Sequence, residues 1–321
     1  MSFRDCKSGG TGGKDGTCMN KEYSLEENVQ HGTKERPLTI MNFCTGKGTS
    51  YPDHFFVERH WHYNTEILKI RKGSYKAEIN LETLYLQEGD ICMINSGELH
   101  LLEGIGSHTL HDALIYNQSI LGFSYEDEMQ EKLIHPLLSH KLVLPRIIHP
   151  SDTGYKQLNH RVEHLIELGE KKTDDWYFQL KLEILQFLID LNRYGLFISS
   201  ADTATAFEKE RIDRYKRIVS LIEDNYTSAL TLQMLAQAAG CNPQYLCRFF
   251  KEIAGISPIQ YLIRYRIQQA ERLLGNTTKT ILEISLDSGF DNVSYFIRQF
   301  KKQNGLTPNE YRKRCHLDLF Q

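Results

Sequence analysis

Two sets of residues can do chemistry by their type and spacing. The first is repeated. Gln244, Cys247, Arg248 and Lys251 fall at i, i+3, i+4 and i+7, and fifty residues later Ser294, Ile297, Arg298 and Lys301 repeat the spacing. On a helix these positions share one face. Gln, Ser and Arg side chains hydrogen-bond base edges, an exposed Ile meets a thymine methyl, and Lys neutralises phosphate. Both faces therefore suit the major groove of duplex DNA, which is about 12 Å wide and admits a helix. The second set is His60, His62, Glu66 and His100. These residue types ligate transition metals or hydrogen-bond a small polar molecule.

The elements that must position the first set are also duplicated. Tyr245, Phe250, Gly255, Pro258 and Tyr261 recur as Tyr295, Phe300, Gly305, Pro308 and Tyr311, and upstream Leu232 and Asn242 recur as Leu282 and Asn292. Two copies are too few for a solenoid. Each copy reads as helix, tight turn, helix. Thr231 caps the first helix, Gly240 turns, and Asn242 caps the second with Pro243 at its first position, where the missing N–H costs nothing. In the second copy Thr280 caps, Gly289 turns, and Asp291 or Asn292 caps. Leu246, Phe250, Ile253, Phe296 and Phe300 form the opposite, apolar stripes and are expected in the core. The structural alternative for Arg248 and Arg298 is an ion pair within the domain.

Ahead of this region, residues 38–116 read as short strands at 65–71, 75–81, 83–86 and 90–94, separated by turn signals at Lys72-Gly73, Glu88-Gly89-Asp90 and Ser96-Gly97. Closely spaced strands of this kind predict a small barrel or jelly roll. Trp61, Tyr63, Tyr75 and Tyr85 are either core or ligand-stacking aromatics, and alternation favours the core. Residues 151–170 and 174–194 carry apolar residues at helical spacing; Trp176, Leu180, Ile184, Phe187 and Leu191 mark the second, and Gly195 stops it. That helix packs on the barrel or on its copy in a second subunit. Residues 199–205 are small and polar, as in a linker, and residues 1–18 are rich in Gly, Ser and Lys with almost nothing apolar and are expected to be disordered. Met19 is a candidate biological start.

Charge is unevenly spread. Residues 207–321 hold 17 Lys+Arg against 12 Asp+Glu, a surplus of five positive charges, while the whole chain of 321 residues is at −3. A basic rear part on an acidic front part suits a polyanionic partner. No apolar run reaches the ~20 residues of a membrane span, and no secretory signal pattern opens the chain. Seven Cys without a CxxC pair point to reduced thiols and a cytoplasmic location rather than a disulfide framework or zinc finger.

Residues 211–314 resemble the DNA-binding domain of the AraC/XylS family of transcription regulators. The resemblance rests on Leu235-Ala236, Tyr245 through Lys251, Gly255-x-Ser257-Pro258, Tyr261, Ala270 and Leu274, then Ile281-x-Glu283-Ile284, Ser288-Gly289-Phe290, Ser294 through Lys301, Gly305-x-Thr307-Pro308 and Tyr311-Arg312. Asn242 and Ser285 depart from the usual Ser and Ala. The resemblance implies a long helix from Pro258 joining two recognition helices that enter successive major grooves about 34 Å apart. It also implies a homodimer on repeated half-sites, a small-molecule effector (a sugar is one class), and RNA polymerase as a further partner. His60-x-His62-x-x-x-Glu66, Gly73, Gly89, Gly97 and His100 resemble the two cupin motifs, with Asn95 where Pro is usual. That second resemblance brings the three His and the Glu to one end of a barrel. There they bind either an effector without metal, the reading favoured for sensory domains of this family, or a metal with two water positions.

The resulting expectation is an α+β multidomain protein. It has a disordered extension (1–29), a cupin-like effector-binding barrel (30–125), a helical dimerisation region (126–198), a linker (199–210) and an all-α domain with two helix-turn-helix units (211–316). Asn292 joins the eight helix-face residues as an expected DNA contact. No catalytic residue, cofactor or metal is assigned. The rival readings are a cupin metalloenzyme with a regulatory tail and a ligand sensor that never touches DNA.

Overall fold

The computed structural model describes residues 27, 31–45, 54–199 and 206–317, with side chains described to 315 and not for 206–209. The readings of residues 1–26 and of Met19 lie outside the described residues. The chain divides into two units, meeting between Lys209 and Glu210.

The first unit is built on one long antiparallel sheet. Its strands are β1 (Leu38–Cys44), β2 (Phe56–His60), β3 (Thr65–Ile79), β4 (Glu82–Leu86), β5 (Ile91–Ile94) and β6 (His100–Tyr116), with β7 (Leu142–Val143), β8 (Ile147–Ile148) and β9 (Ile198–Ser199) as short additions. β3 and β6 pair along most of their lengths; β1 and β2 flank the two ends of β6, and β4 and β5 flank the two ends of β3. The path β1-β6-β3-β5-β8 therefore folds over on itself around an inner core of Phe55, Leu68, Ile70, Tyr75, Ile79, Leu86, Ile94 and Leu102.

Residues 65–71 and 75–81 were expected as separate strands with a turn at Lys72-Gly73. The structure joins them in β3. The register shifts between Ile70 and Ser74, and Gly73 adopts φ +78°. A Cβ there would sit 2.8 Å from the His108 carbonyl oxygen. The glycine thus serves a bulge that bends a continuous strand.

Along β3, Ile67 through Ile70 are all buried, which a half-exposed strand would not allow. Leu68 and Ile70 face the inner core, and Ile67 faces a second core shared with the helices. Those helices are α1 (His135–Leu138, entered through a π-helical turn at Gln130–Ile134), α2 (Tyr155–Lys171) and α3 (Trp176–Arg193). Leu158, Val162 and Leu165 of α2 and Leu180, Ile184, Phe187 and Leu191 of α3 share this core with Ile67, Met93 and Tyr116. α3 thus packs on its own barrel, and Gly195 beyond its end adopts φ +64°. Residues 126–198 also contain strands: β8 extends the main sheet through β5, and β7 pairs with β9. Of the four aromatics, Trp61 and Tyr75 are buried, whereas Tyr63 and Tyr85 are exposed.

The second unit is all helical: α4 (Ala206–Asp224), α5 (Leu232–Ala238), α6 (Pro243–Ala254), α7 (Pro258–Asn276), α8 (Ile281–Asp287), α9 (Val293–Asn304) and α10 (Pro308–Leu317). α4 starts inside the stretch 199–210 read as linker, because Ala206-Phe-Glu-Lys-Glu-Arg211 supplies several good helix formers. Residues 200–205 lie outside the described residues. Caps fall where the sequence puts them. The Thr231 hydroxyl accepts from the Met234 N–H, and Thr280 with Glu283 closes a capping box. Gly240 and Gly289 turn at φ +62° and +81°.

Candidate functional site

The second helix of each pair repeats the first in detail. Asn242 Oδ1 accepts the Tyr245 N–H at 2.7 Å, and Asn292 Oδ1 accepts the Tyr295 N–H at 2.9 Å. α6 ends at Gly255 and α9 at Gly305, both at φ +72°. Leu246, Phe250 and Ile253 are fully buried, as are Phe296 and Phe300. With those stripes inward, Gln244, Arg248 and Lys251 on α6 and Ser294, Ile297, Arg298 and Lys301 on α9 are exposed, while Cys247 is half-buried. Arg248 lies 5.9 Å over the Tyr245 ring and Arg298 lies 5.4 Å over the Tyr295 ring. Such stacking props a guanidinium outward without consuming its fork of donors. Neither Arg forms an ion pair with a carboxylate among the described residues. Asn292, expected as a DNA contact, has its carbonyl oxygen committed to the cap.

The barrel gathers the other set at one mouth. His60 and His100 are cross-strand partners of β2 and β6, with ring centroids 4.1 Å apart. Glu66 lies two residues before Leu68 on the inner face of β3, and its Oε2 is 3.5 Å from both His62 Nε2 and His100 Nε2. The Nε2 atoms of His62 and His100 are buried without a hydrogen-bond partner. Glu27 and His31 complete the cluster. Glu27 Oε2 is 2.8 Å from His31 Nε2, 3.8 Å from His62 Nε2 and 3.9 Å from His60 Nε2. The Glu27 N–H donates to the Trp61 carbonyl at 2.8 Å, between the two histidines. Behind the cluster lies a cavity of about 80 Å³ with apolar walls that include Met41, Phe43, Phe55 and Leu68.

Both regions have counterparts in sequence among known proteins. Residues 235–314 match the family model of a helix-turn-helix domain, and residues 45–166 match that of the AraC-like ligand binding domain. The chain belongs to the AraC family. It is 24% identical over 294 residues to the HTH-type transcriptional regulator YdeC of Bacillus subtilis (strain 168), covering 91% of this chain and 99% of that protein. It is 26% identical over 304 residues to the HTH-type transcriptional activator RhaR of Yersinia pseudotuberculosis, covering 92% and 93%. Among solved structures, the C-terminal domain of the response regulator yesN from Fusobacterium nucleatum is 36% identical, over 31% of this chain and 98% of that one, with a TM-score of 0.30. This AraC-family protein is a DNA-binding transcription regulator with a ligand-binding domain ahead of its helix-turn-helix domain.

Electrostatics at the mouth of the AraC-family barrel follow from crowding. Burial, helped by the nearby His100, pushes His60 down to about 4, so its imidazole is neutral near neutrality. Burial alone would raise Glu66, but the His100 and His62 imidazoles hold its carboxyl far below the ordinary range. Glu27 is likewise held low against its burial, by the His31 hydrogen bond and the charges of neighbouring histidines. The sequence reading found His60, His62, Glu66 and His100 but missed Glu27 and His31. Glu27 falls within residues 1–29, read as disordered, yet it is hydrogen-bonded at the site. The available signal was two ligand-type residues four apart in a polar segment. His111, deeper in the cavity wall and bonded to the Tyr75 hydroxyl at 2.9 Å, was also missed.

Proposed function

We propose that this regulator binds operator DNA through α6 and α9 and changes that binding when a small molecule occupies the barrel. Gln244, Arg248, Ser294, Ile297 and Arg298 address base edges; Lys251 and Lys301 address phosphates; Cys247 borders the first face. The observation that carries this reading is the exposure of the same positions on both copies of a duplicated module whose opposite faces are buried. The effector site is His60, His62, Glu66 and His100, where polar groups converge at the end of an otherwise apolar cavity. A hydroxyl-rich ligand such as a sugar is the first class to test, supported by similarity to the Melibiose operon regulatory protein of Escherichia coli, 24% identical over 269 residues.

A homodimer is part of the proposal. Phe178, Leu182 and Ile189 stand 65%, 48% and 39% exposed on α3, at i, i+4 and i+11, opposite the face that packs on the barrel. A second copy of this stripe would cover it, as obligate interfaces require. Two subunits present four recognition helices to repeated half-sites, and RNA polymerase is the further partner through which occupancy alters transcription. The regulator works in the cytoplasm on this reading. The effector must favour one arrangement of the dimer over another, since equal affinity for both shifts nothing.

The test is salt-dependent binding of the full chain to DNA recovered by genomic footprinting. Affinity should fall steeply with salt as phosphate contacts are lost. Arg248→Ala and Arg298→Ala should each weaken operator binding while far-UV circular dichroism stays unchanged. Binding that is insensitive to salt and to both variants would remove α6 and α9 from the interface.

A further inference from the structure

We infer that the inner part of the barrel cavity is an effector subsite of its own, in which His111 donates a hydrogen bond to an uncharged acceptor, a carbonyl or ether oxygen, carried on an otherwise apolar body. This rests on the reading of the barrel as the effector domain and names the chemistry of what enters it.

Strand register sets the place. His111 stands opposite Phe43 on β1 and Ile70 on β3, and it shares the inner face of β6 with Ala113 and Ile115. Glu66 of the mouth is the cross-strand partner of Ile115. His111 is therefore four residues, roughly 13 Å along the strand, from the mouth. Its imidazole is clamped there. Phe43 stacks on its face with ring centroids 5.0 Å apart, and Phe55 and Tyr75 meet it edge-on at 4.7 and 4.9 Å. The residue is buried from bulk solvent, yet it lines the cavity.

The placement of protons gives the polarity. His111 Nδ1 lies 2.9 Å from the Tyr75 hydroxyl. Of that pair the phenol O–H is the better donor and the neutral imidazole nitrogen the better acceptor. The Tyr75 hydroxyl therefore donates to Nδ1, and the His111 proton sits on Nε2. Burial pushes His111 down to about 4 and so keeps the ring neutral near neutrality. With Nδ1 engaged, the Nε2 edge is the part of the ring left to meet the cavity, and Nε2–H has no acceptor among the described residues. A donor fixed in an apolar enclosure favours any ligand that brings the missing acceptor.

The walls define the rest of the ligand. Met41, Phe43, Phe55, Leu68 and Ile115 surround this donor and carry no charge. A carboxylate there would have no cation to pair with, and an ammonium would face a donor. A sugar would press several hydroxyls against apolar side chains, each losing its water without a partner; only the mouth offers it enough polar groups. Size narrows the class further. The cavity of about 80 Å³ is smaller than the ~150 Å³ that encloses a benzene ring, so the part of the effector that enters has few heavy atoms. A short alkyl ketone, aldehyde or ether meets all three conditions. Tyr75 is a positioning residue on this account, because it fixes which imidazole nitrogen carries the proton.

The experiment uses the full-length protein and two probes of one shape: 2-butanone, and 2-methyl-1-butene, in which a methylene group replaces the carbonyl oxygen. Binding is followed by NMR with ¹⁵N-labelled histidine. The wild type should show the His111 proton on Nε2, and that proton should move downfield with butanone and not with the alkene. His111→Phe keeps a ring and removes the donor; it should lower the ratio of butanone to alkene affinity about tenfold. His111→Gln, whose amide carries an N–H toward the same point, should restore most of that ratio, with thermal unfolding as the check that both variants fold. An unchanged ratio in His111→Phe, or no saturable binding of butanone by the wild type, overturns the subsite. A proton found on Nδ1 overturns the donor role. Glucose is the contrasting probe: glucose binding without butanone binding defeats the subsite and leaves the effector domain standing with its ligand at the mouth. Operator affinity is measured with saturating butanone in parallel. His111-dependent binding with no change on DNA counts against control of DNA by the barrel and leaves the subsite in place.

Discussion

The helix-turn-helix faces and the barrel mouth are assembled by opposite routes. Each DNA-facing surface comes from eight consecutive residues of one helix, Gln244 through Lys251 or Ser294 through Lys301, and its orientation follows from the apolar stripe that the same helix buries. The mouth draws on Glu27, His31, His60, His62, Glu66 and His100, which meet only after β2, β3 and β6 have paired. A local site is as robust as its helix; a non-local one depends on sheet register. The two regions also treat polar groups differently. The recognition faces leave theirs to solvent, while the mouth buries imidazole nitrogens without hydrogen-bond partners.

The largest test of this contrast is in the packing beneath the helices. Phe250 and Phe300 are equivalent, fully buried and each in edge contact with the next conserved-offset tyrosine, Tyr261 or Tyr311. Truncation of either to Ala should cost about 3–5 kcal/mol, read from denaturant unfolding of the full chain. If the two copies are equivalent structural modules, the two losses agree; a large difference would show that one copy depends on partners the other lacks. Next in size are the surface arginines. Arg248→Ala and Arg298→Ala should each cost about 1–3 kcal/mol in operator binding, while Lys251→Ala should weaken all sequences alike and lower the salt slope by about 1. Equal loss on specific and random DNA for both Arg variants would reassign them to phosphates.

The barrel offers a test by pH. Burial pushes His111 from 6.5 down to about 4 in the folded state. Between those values the unfolded chain binds a proton that the folded chain refuses, so stability falls as pH drops through that window and levels off below it. The loss expected from His111 is about 2 kcal/mol by pH 5; His111→Gln should remove that share of the slope and leave the share of His60, which burial pushes down to about 4 as well. The helical unit, with no comparably shifted histidine among its described residues, should not share this slope. Unfolding followed separately in the two units would reveal a common slope, and a common slope would break the contrast.

How much was legible before the structure divides along the same line. The helix pairs were readable to the residue, because a cap such as Thr231, a turn glycine such as Gly240 and a 3.6-residue stripe all act over a few positions. His60 and His62 were readable as a pair because they are only two residues apart in sequence. Glu27 was not, because it reaches the site through a bond to the Trp61 carbonyl that no local pattern encodes. The turn expected at Gly73 failed for a related reason. A glycine with positive φ marks a turn or a bulge equally well, and only pairing with β6 decides which. β8 escaped notice because two residues carry no periodicity of their own.

The smallest effect separates two roles that sequence spacing had merged. Asn242 and Asn292 cap α6 and α9 through the same bond, so replacement of either by Ala should cost about 1 kcal/mol of stability. Only Asn292 was also assigned to DNA. Its Oδ1 is occupied by the Tyr295 N–H, which leaves the amide Nδ2 as the group able to reach the duplex. Asn242→Ala is therefore the control: it frays an equivalent helix start without removing an assigned contact. If Asn292→Ala lowers operator affinity more than Asn242→Ala at equal loss of stability, the amide touches DNA. If the two match, Asn292 acts on DNA only by holding the first turn of α9, and the recognition surface of the second copy begins at Ser294.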